Sequence, residues 1–356
     1  MKVLVGLSGG VDSLVATKLL LDEGFDVVAS TLRLLPHSST YDNEDNKRIE
    51  RARKIAKRFN IPHVVYDFRD DFKRLVIDYF VDSYKMGETP NPCYVCNAKI
   101  KFGLMLQKAL KDGFDFIATG HYATIKKDGR LGSESSHLLK AQDVNKDQSY
   151  FLSSLSRKQL AHSIFPLSSL TKNEVRAIAN SIGFSFDNIK ESQDICFVKK
   201  GDHASLISSL SDEKDFSKGC FIDSENRILG CHKGLQHYTI GQRRGLSLPM
   251  GCPIYVIKKD VRTNSITVGK KEELICYSLI ATHLNMIEDI EMGKKILVDA
   301  RTRYRQIAKK AYLILEEEGR ARLEFLECDE AVAKGQVVAF YQGEYCLGSG
   351  IIKETF

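Results

Sequence analysis

The sequence predicts an α/β chain: a doubly wound parallel sheet at the N-terminus, then a small, mostly β central domain, then a C-terminal β-barrel. Three observations carry this. The first 120 residues alternate short β-branched runs with helical periods, glycines become frequent and strands short from Cys220 to Gly269, and turn-spaced short strands fill the chain from Tyr277 onward. The boundaries expected from these shifts are residues 1–205, 206–275 and 276–356.

Taken in order, Val3 to Val5 reads as a strand and Val11, Leu14, Val15 and Leu19 as one face of a helix; Val27-Val28 and then Ile49, Ala52, Ile55, Ala56 and Phe59 repeat the pair. His63 to Tyr66 gives a third strand. Phe72, Leu75, Val76, Tyr79 and Phe80 give a third helix, and Phe116 to Thr119 a fourth strand. Such alternation implies parallel strands with helices on both faces and a ligand beyond their carboxyl ends. A further helix starts near Thr171 and stops at Gly183. In the last segment, Ile296 to Ala300, Ala311 to Leu315, Arg322 to Leu326 and Gln336 to Tyr341 are spaced as barrel strands are.

At 356 residues, with 43% apolar and 28% charged content, the chain is long enough for two or three cored domains, which excludes disorder over most of it. No apolar run approaches the roughly 20 residues that cross a bilayer, and nothing reads as a signal peptide, so a cytoplasmic protein without membrane contact is expected. The net charge of +6 suits a polyanionic partner without demonstrating one. Nine cysteines, an odd number, read as buried thiols, metal ligands or catalytic groups better than as a disulfide framework.

The loop Gly6-Leu7-Ser8-Gly9-Gly10-Val11-Asp12-Ser13 follows the first strand and opens the first helix. Consecutive backbone N–H groups and the positive helix end then point at one spot, which suits phosphate. Ser8 and Ser13 add hydroxyls, and Asp12 is placed to hold Mg²⁺ on the phosphates. The lysine of a Walker A loop is missing, so the loop suits a leaving pyrophosphate, with ATP split to AMP, better than γ-phosphate transfer. SGGVDS resembles the signature of the PP-loop ATP pyrophosphatases, with their adenine nucleotide alpha hydrolase-like fold.

Cys93 and Cys96 form a C-x-x-C, and Cys196 is a distant third thiol. A helix starting near Asn97, just after Asn91-Pro92, would set Cys96 beside a helix N-terminus and lower its pKa. Cys196 ends a polar run and enters an apolar one, which leaves it either exposed or buried. Cys220, Cys231, Cys252, Cys276, Cys328 and Cys346 read as small hydrophobes. Arg301, Arg303 and Arg305, with Lys309 and Lys310 nearby, fall on one side of an extended segment and form either a solvated face or a phosphate-binding row.

TPNPCYVCNAKIKF, ATGHYA, KDQSYFL, ESQDICFV, HKGLQHYTIGQRRGL, RTRYR and GQVVAFYQGEYCLGSGII follow SGGVDS in order. Together they resemble the tRNA-specific 2-thiouridylases, the MnmA family, across essentially the whole chain. The resemblance implies ATP-dependent 2-thiolation of the wobble uridine of tRNA, with adenylation of the C2 oxygen and sulfur transfer from a cysteine persulfide. It implies Cys96 as the first catalytic cysteine and Cys196 as the persulfide carrier, the two able to form a disulfide as sulfur is delivered. ATP with Mg²⁺ would meet Gly6, Leu7, Ser8, Gly9, Gly10, Val11, Asp12, Ser13, Leu32 and Gly120. The base would meet Asn91, Pro92 and Cys93, and the tRNA His121, Lys146, Asp147, Gln148, Arg303, Tyr304 and Gln336. His121 also reads as a residue that merely caps or packs beside the fourth strand. A sulfur donor is implied as well: a cysteine desulfurase, a relay protein or free sulfide.

One position departs from the resemblance. Where most bacterial members carry Asp in N-P-D-x-x-C-N, this chain has Cys93, which puts the acid/base part of the mechanism in doubt. Cys93, Cys96 and Cys196 then offer three soft ligands, an alternative in which they hold a [4Fe–4S] cluster; the other reading is that Cys93 fills space. Two rivals differ in class: a PP-loop ligase that adenylates a small molecule and needs no cysteine pair, and a non-catalytic RNA-binding protein that forms no AMP.

Overall fold

The computed structural model of the protein describes residues 1–129, 135–184, 195–198, 202–211 and 216–356. Glu191 to Asp194, the first half of the ESQDICFV motif, lie outside these residues. Strands β1 (Lys2–Gly6), β2 (Asp26–Arg33), β3 (His63–Asp67) and β4 (Phe116–Ala118) come first; a hairpin of β5 (Thr124–Lys127) and β6 (Ser136–Leu139) precedes β7 (Ser163–Ile164). The first sheet runs β3-β2-β1-β4-β7, parallel throughout. Alternation along each strand splits its core in two. Leu4, Val28 and Ile117 face one layer, while Val3, Val5, Val27, Ala29, Phe116 and Ala118 face the other.

Strand order reverses between β1 and β4, so the loops after these two strands meet at the carboxyl edge. Helix α1 (Val11–Asp22) leaves the first loop, and α2 (Ser39–Arg58) follows β2 with Ser38 as its N-cap. The helix Lys172–Ser181 begins where expected because Thr171 and Glu174 form a capping box.

The central unit is a four-stranded sheet of β8 (Gly219–Ile222), β9 (Ile228–His232), β10 (Tyr255–Asp260) and β11 (Ser265–Gly269), in the order β10-β11-β8-β9. Phe221, Val256, Ile266 and Val268 are its core. The C-terminal strands are β12 (Ile275–Met286), β13 (Lys295–Arg301), β14 (Lys309–Glu316), β15 (Arg320–Glu330), β16 (Val337–Gln342) and β17 (Tyr345–Thr355). Pairing of β12 with β17 closes these six into a barrel. The fold class read from the sequence is the one observed.

Sequence periodicity did not reveal the hairpin β5–β6, whose strands are four residues each. It leaves the N-terminal domain and extends the barrel sheet, with Tyr345 opposite Leu139 and Cys346 opposite Leu138. One core accordingly runs through both units. Tyr150 is fully buried among Val337, Ala339 and Tyr341 and donates its hydroxyl to the Val337 carbonyl at 2.8 Å.

Candidate active site

The phosphate loop is held open by its own backbone. Gly9 takes φ +78°, and a Cβ there would meet the Arg48 carbonyl at 3.0 Å. The Ser8 N–H donates to Ser13 Oγ at 3.1 Å, and the Ser13 hydroxyl donates to the Gly10 carbonyl at 3.0 Å. Gly10 precedes the first helical residue in extended conformation, with no side-chain cap, so the helix end is left for a ligand.

Gly120, after β4, closes the cleft from the other side. A Cβ on it would fall 2.7 Å from the Asp12 carbonyl carbon and 2.9 Å from the Ser13 nitrogen, so no larger residue fits. Leu32 flanks the same edge, and its carbonyl accepts from Arg48 at 2.6 Å. The expected nucleotide residues thus converge at the switch point of the sheet.

Asp12 was expected to be available for Mg²⁺. It accepts from Lys172 Nζ at 2.7 and 2.8 Å and from the Tyr122 hydroxyl at 2.7 Å. The sequence reading missed Lys172, only 6% exposed, which opens the helix Lys172–Ser181. Its sole local signal was a lysine beside a capping box, and such a lysine is ordinarily a surface residue.

Asn91 and Pro92 start a helix earlier than expected. Asn91 Oδ1 accepts the Tyr94 N–H at 3.2 Å, Pro92 is the first helical residue, and helical turns run on from Pro92–Cys96 through a π-helical stretch, Asn97–Leu104. Cys96 is therefore a full turn inside, not at the helix N-terminus. Burial pushes its thiol up to about 11 despite the nearby Lys101 ammonium, the reverse of the depression expected. Cys93 is raised as well, by the same cause.

The Cys196 residue keeps exposed surface, while the protein around its sulfur, with Cys96 and Cys93 near, pushes the thiol up to about 12. The three thiols share one neighbourhood: each feels Lys101, and Phe197 lies in the same apolar cluster as Cys96. All are reduced. Among the described residues no three Cys, His, Asp or Glu side chains stand close enough to hold a metal ion, so the trio as arranged does not fit a cluster.

Two cations join this neighbourhood to the phosphate loop. Arg48, whose backbone carbonyl packs against Gly9 and whose guanidinium donates to the Leu32 carbonyl, lowers the Cys196 thiol, and Lys101 approaches His121 Nε2 at 3.4 Å. His121 Nδ1 faces Thr119 Oγ1 at 2.7 Å, and burial with Lys101 holds the imidazole well below its ordinary pKa, hence neutral.

The expected tRNA contacts divide. Arg303 is exposed, and Tyr304, Lys146, Gln148 and Gln336 are half-buried around the domain junction. The Tyr304 ring packs tilted against Phe151 with centroids 4.4 Å apart, the Gln148 amide oxygen accepts the Tyr122 N–H at 3.0 Å, and Gln336 donates to the Pro90 carbonyl at 3.4 Å. The Asp147 side chain turns inward. It is 4% exposed, pairs with Arg301 at 2.9 Å and accepts from the Ala141 and Ser149 amides, so it serves as an internal strut. The expected row of arginines is corrected: β13 ends at Arg301 and the chain turns, leaving Arg303 donating to the Glu330 carbonyl at 2.7 Å. No helix of the described residues is long and apolar enough to cross a membrane.

Three family profiles match in succession: a tRNA methyl transferase HUP domain over residues 1–200, a tRNA methyl transferase PRC-barrel domain over 208–270 and an aminomethyltransferase beta-barrel domain over 277–352. A tRNA-specific 2-thiouridylase MnmA of Treponema denticola is 53% identical, covering 100% of this chain and 98% of its own. One from Clostridium perfringens is 39% identical over 99% of this chain and 98% of its own. Among solved structures, the U34-tRNA thiolase NcsA from Methanococcus maripaludis with its [4Fe–4S] cluster is a distant likeness, with TM-score 0.37, 23% identity and coverage of 60% of this chain and 65% of that one. With full-length identity of this order and the motifs placed around one cleft, the chain belongs to the family of tRNA-specific 2-thiouridylases, MnmA.

Proposed function

We propose that the protein is a tRNA-uridine 2-sulfurtransferase, which uses ATP to thiolate C2 of the wobble uridine. The observation that supports this best is the junction at Arg48 and Lys101, which brings a pyrophosphate-type loop and three thiols into one neighbourhood. A ring carbonyl oxygen leaves poorly. Attack of the uridine O2 on the α-phosphorus expels pyrophosphate and makes AMP the later leaving group, splitting one hard displacement into two easier ones. The loop amides and the helix α1 end hold the phosphates, and the Asp12 carboxylate is a hard oxygen donor of the kind Mg²⁺ takes when it arrives with ATP.

Sulfur then arrives as a persulfide on Cys196. Its outer sulfur attacks C2 and AMP departs; Cys96 as thiolate attacks the inner sulfur, the S–S bond breaks, and a Cys96–Cys196 disulfide remains beside 2-thiouridine. Both thiols are protonated in the free enzyme, so the two cations nearby and the arriving substrates must bring the thiolate out. Asn91, Pro92 and Cys93 line the base position, and His121, Lys146, Gln148, Arg303, Tyr304 and Gln336 the tRNA surface; Asp147 holds that surface through Arg301. The donor to Cys196 is a desulfurase or a relay protein, which hands over sulfane sulfur; free sulfide, the other donor, would attack the adenylated C2 directly, expelling AMP without a Cys196 persulfide.

Incubation with Mg·ATP, unmodified tRNA and either a desulfurase-derived persulfide or sulfide, followed by nucleoside mass analysis, tests the reading. 2-Thiouridine with stoichiometric AMP is expected, and its absence with both donors counts against it. Colourless, iron-free enzyme that works from persulfide would end the [4Fe–4S] alternative with Cys93 as third ligand.

A further inference from the structure

We infer that Cys220 and Cys231, on the central sheet, form a thiol-oxidation site that takes low-molecular-weight disulfides. The pair lies outside the proposed sulfur-transfer machinery and does not rest on that reading. The two residues are directly opposite in the antiparallel pair β8–β9. The Cys220 N–H donates to the Asn264 carbonyl, just ahead of β11, at 3.3 Å. A strand residue sends its N–H and its carbonyl to the same side, so Cys220 directs both away from β9 and meets Cys231 as a non-hydrogen-bonded pair. Such pairs have Cα atoms about 4.5 Å apart, inside the range of about 4.4–6.8 Å that a disulfide spans. Their side chains share one face of the sheet.

That face is the outer one. Phe221, next along β8, is fully buried in the central core with Val256, Ile266 and Val268, so alternation turns Cys220 and its partner away from the core. Strand β9 is the edge of the sheet, Cys231 is exposed on it, and Cys220 is half-buried; both are reduced. An incoming disulfide therefore meets Cys231 first and leaves Cys220 to resolve the product. The other thiols are less apt. Desolvation pushes up Cys93, Cys96, Cys196, Cys276 and Cys346, which leaves little thiolate on them at mildly alkaline pH. Cys252 lies outside the strands, and Cys328 neighbours Cys276, which is buried. Among the described residues no other two cysteines stand opposite each other in a strand pair.

The Cys231 thiolate attacks one sulfur of glutathione disulfide, which forms a mixed disulfide and releases one glutathione thiolate. The Cys220 thiolate then attacks Cys231 Sγ, and the bond to the second glutathione breaks. Two protein thiols are oxidised as one disulfide is reduced to two thiols, and the two protons given up by the cysteines end on the two glutathiones. A disulfide with an exposed sulfur is of the labile kind, so a thiol reductant reverses it.

Trypsin cuts after Lys218, Arg227 and Lys233, which puts Cys220 on peptide 219–227 and Cys231 on peptide 228–233. The reduced full chain is treated with glutathione disulfide at mildly alkaline pH, quenched with acid, digested and mapped by mass. These two peptides should be joined before any other cysteine pair and separated again by dithiothreitol. Cys220→Ser should stop at a glutathione adduct on Cys231. In Cys231→Ser, Cys220 should take up glutathione about tenfold or more slowly than Cys231 does in Cys220→Ser, because access limits the exchange. Wild-type protein that keeps the adduct without a crosslink, or that joins Cys96 to Cys196 or Cys276 to Cys328 first, overturns the assignment; so does equal labelling of the two cysteines in the single variants.

Discussion

The phosphate loop and the thiol cluster sit side by side, yet they are built by different means. The loop is backbone: its ligand groups are amides fixed by Gly9 at positive φ, by a helix start and by two serine hydrogen bonds. It is ready without nucleotide. The thiols depend on their surroundings, and those surroundings hold Cys96 near 11 and Cys196 near 12, protonated at neutral pH. On the proposed reading, a preformed cradle thus adjoins a nucleophile pair that is protonated in the free protein.

The division is broken most severely by removing a thiol. Cys196→Ser and Cys96→Ser should each lower 2-thiouridine formation about a thousandfold or more, on the scale seen when an essential nucleophile is deleted. Tight Mg·ATP binding should persist, because neither side chain builds the cradle. Nucleoside mass analysis beside nucleotide calorimetry reads the two separately; loss of nucleotide binding in either variant would merge regions held here to be distinct.

The same contrast decides what the sequence could disclose. The loop was legible because glycines, a strand before and a helix after lie within a dozen neighbouring positions, and the barrel because its turn spacing is regular. The state of Cys96 was not. Its helix starts at Pro92, with Asn91 as cap, and its burial comes from Phe72, Phe80 and Phe197, on elements that no local window contains. The settings of Lys172 and Asp147 were illegible for a related reason: a charged residue reads as surface until the fold supplies its partner, Asp12 in one case and Arg301 in the other. Arg301, Arg303 and Arg305 were aligned on the assumption of an extended chain, which the turn after β13 removes.

A smaller loss is expected at Gly120, the close approach between the two sides of the nucleotide cleft. Gly120→Ala places a methyl 2.7 Å from backbone of Asp12 that cannot rotate away, so the loop must shift. Overpacking of this kind costs about 1–3 kcal/mol, which corresponds to roughly fivefold to 150-fold weaker Mg·ATP binding if the strain falls on the bound state. Calorimetry checks the affinity, and alkylation of the cysteines should be unchanged. A variant with native ATP affinity would mean that the cradle yields, contrary to its preformed character.

The gentlest test titrates the thiols. Only thiolate alkylates, so iodoacetamide labelling of Cys96 and Cys196 in free enzyme should climb about tenfold per pH unit through neutral and mildly alkaline pH, with no plateau at the pKa of roughly 8.5 typical of an open cysteine. The sign for stability follows from the same shift. With folded pKa values of about 11 and 12 against an ordinary 9.0, the unfolded chain ionises first, so this contribution is intact below pH 9 and is lost as pH rises from there through 11 to 12. Denaturant midpoints should therefore fall across that alkaline window, less so in Cys96→Ser. Mg·ATP with tRNA should raise labelling of Cys96 at neutral pH if the substrates bring out the thiolate, whereas a plateau near 8.5 in the free enzyme would mean that the thiols are already open and that the contrast with the phosphate loop does not exist.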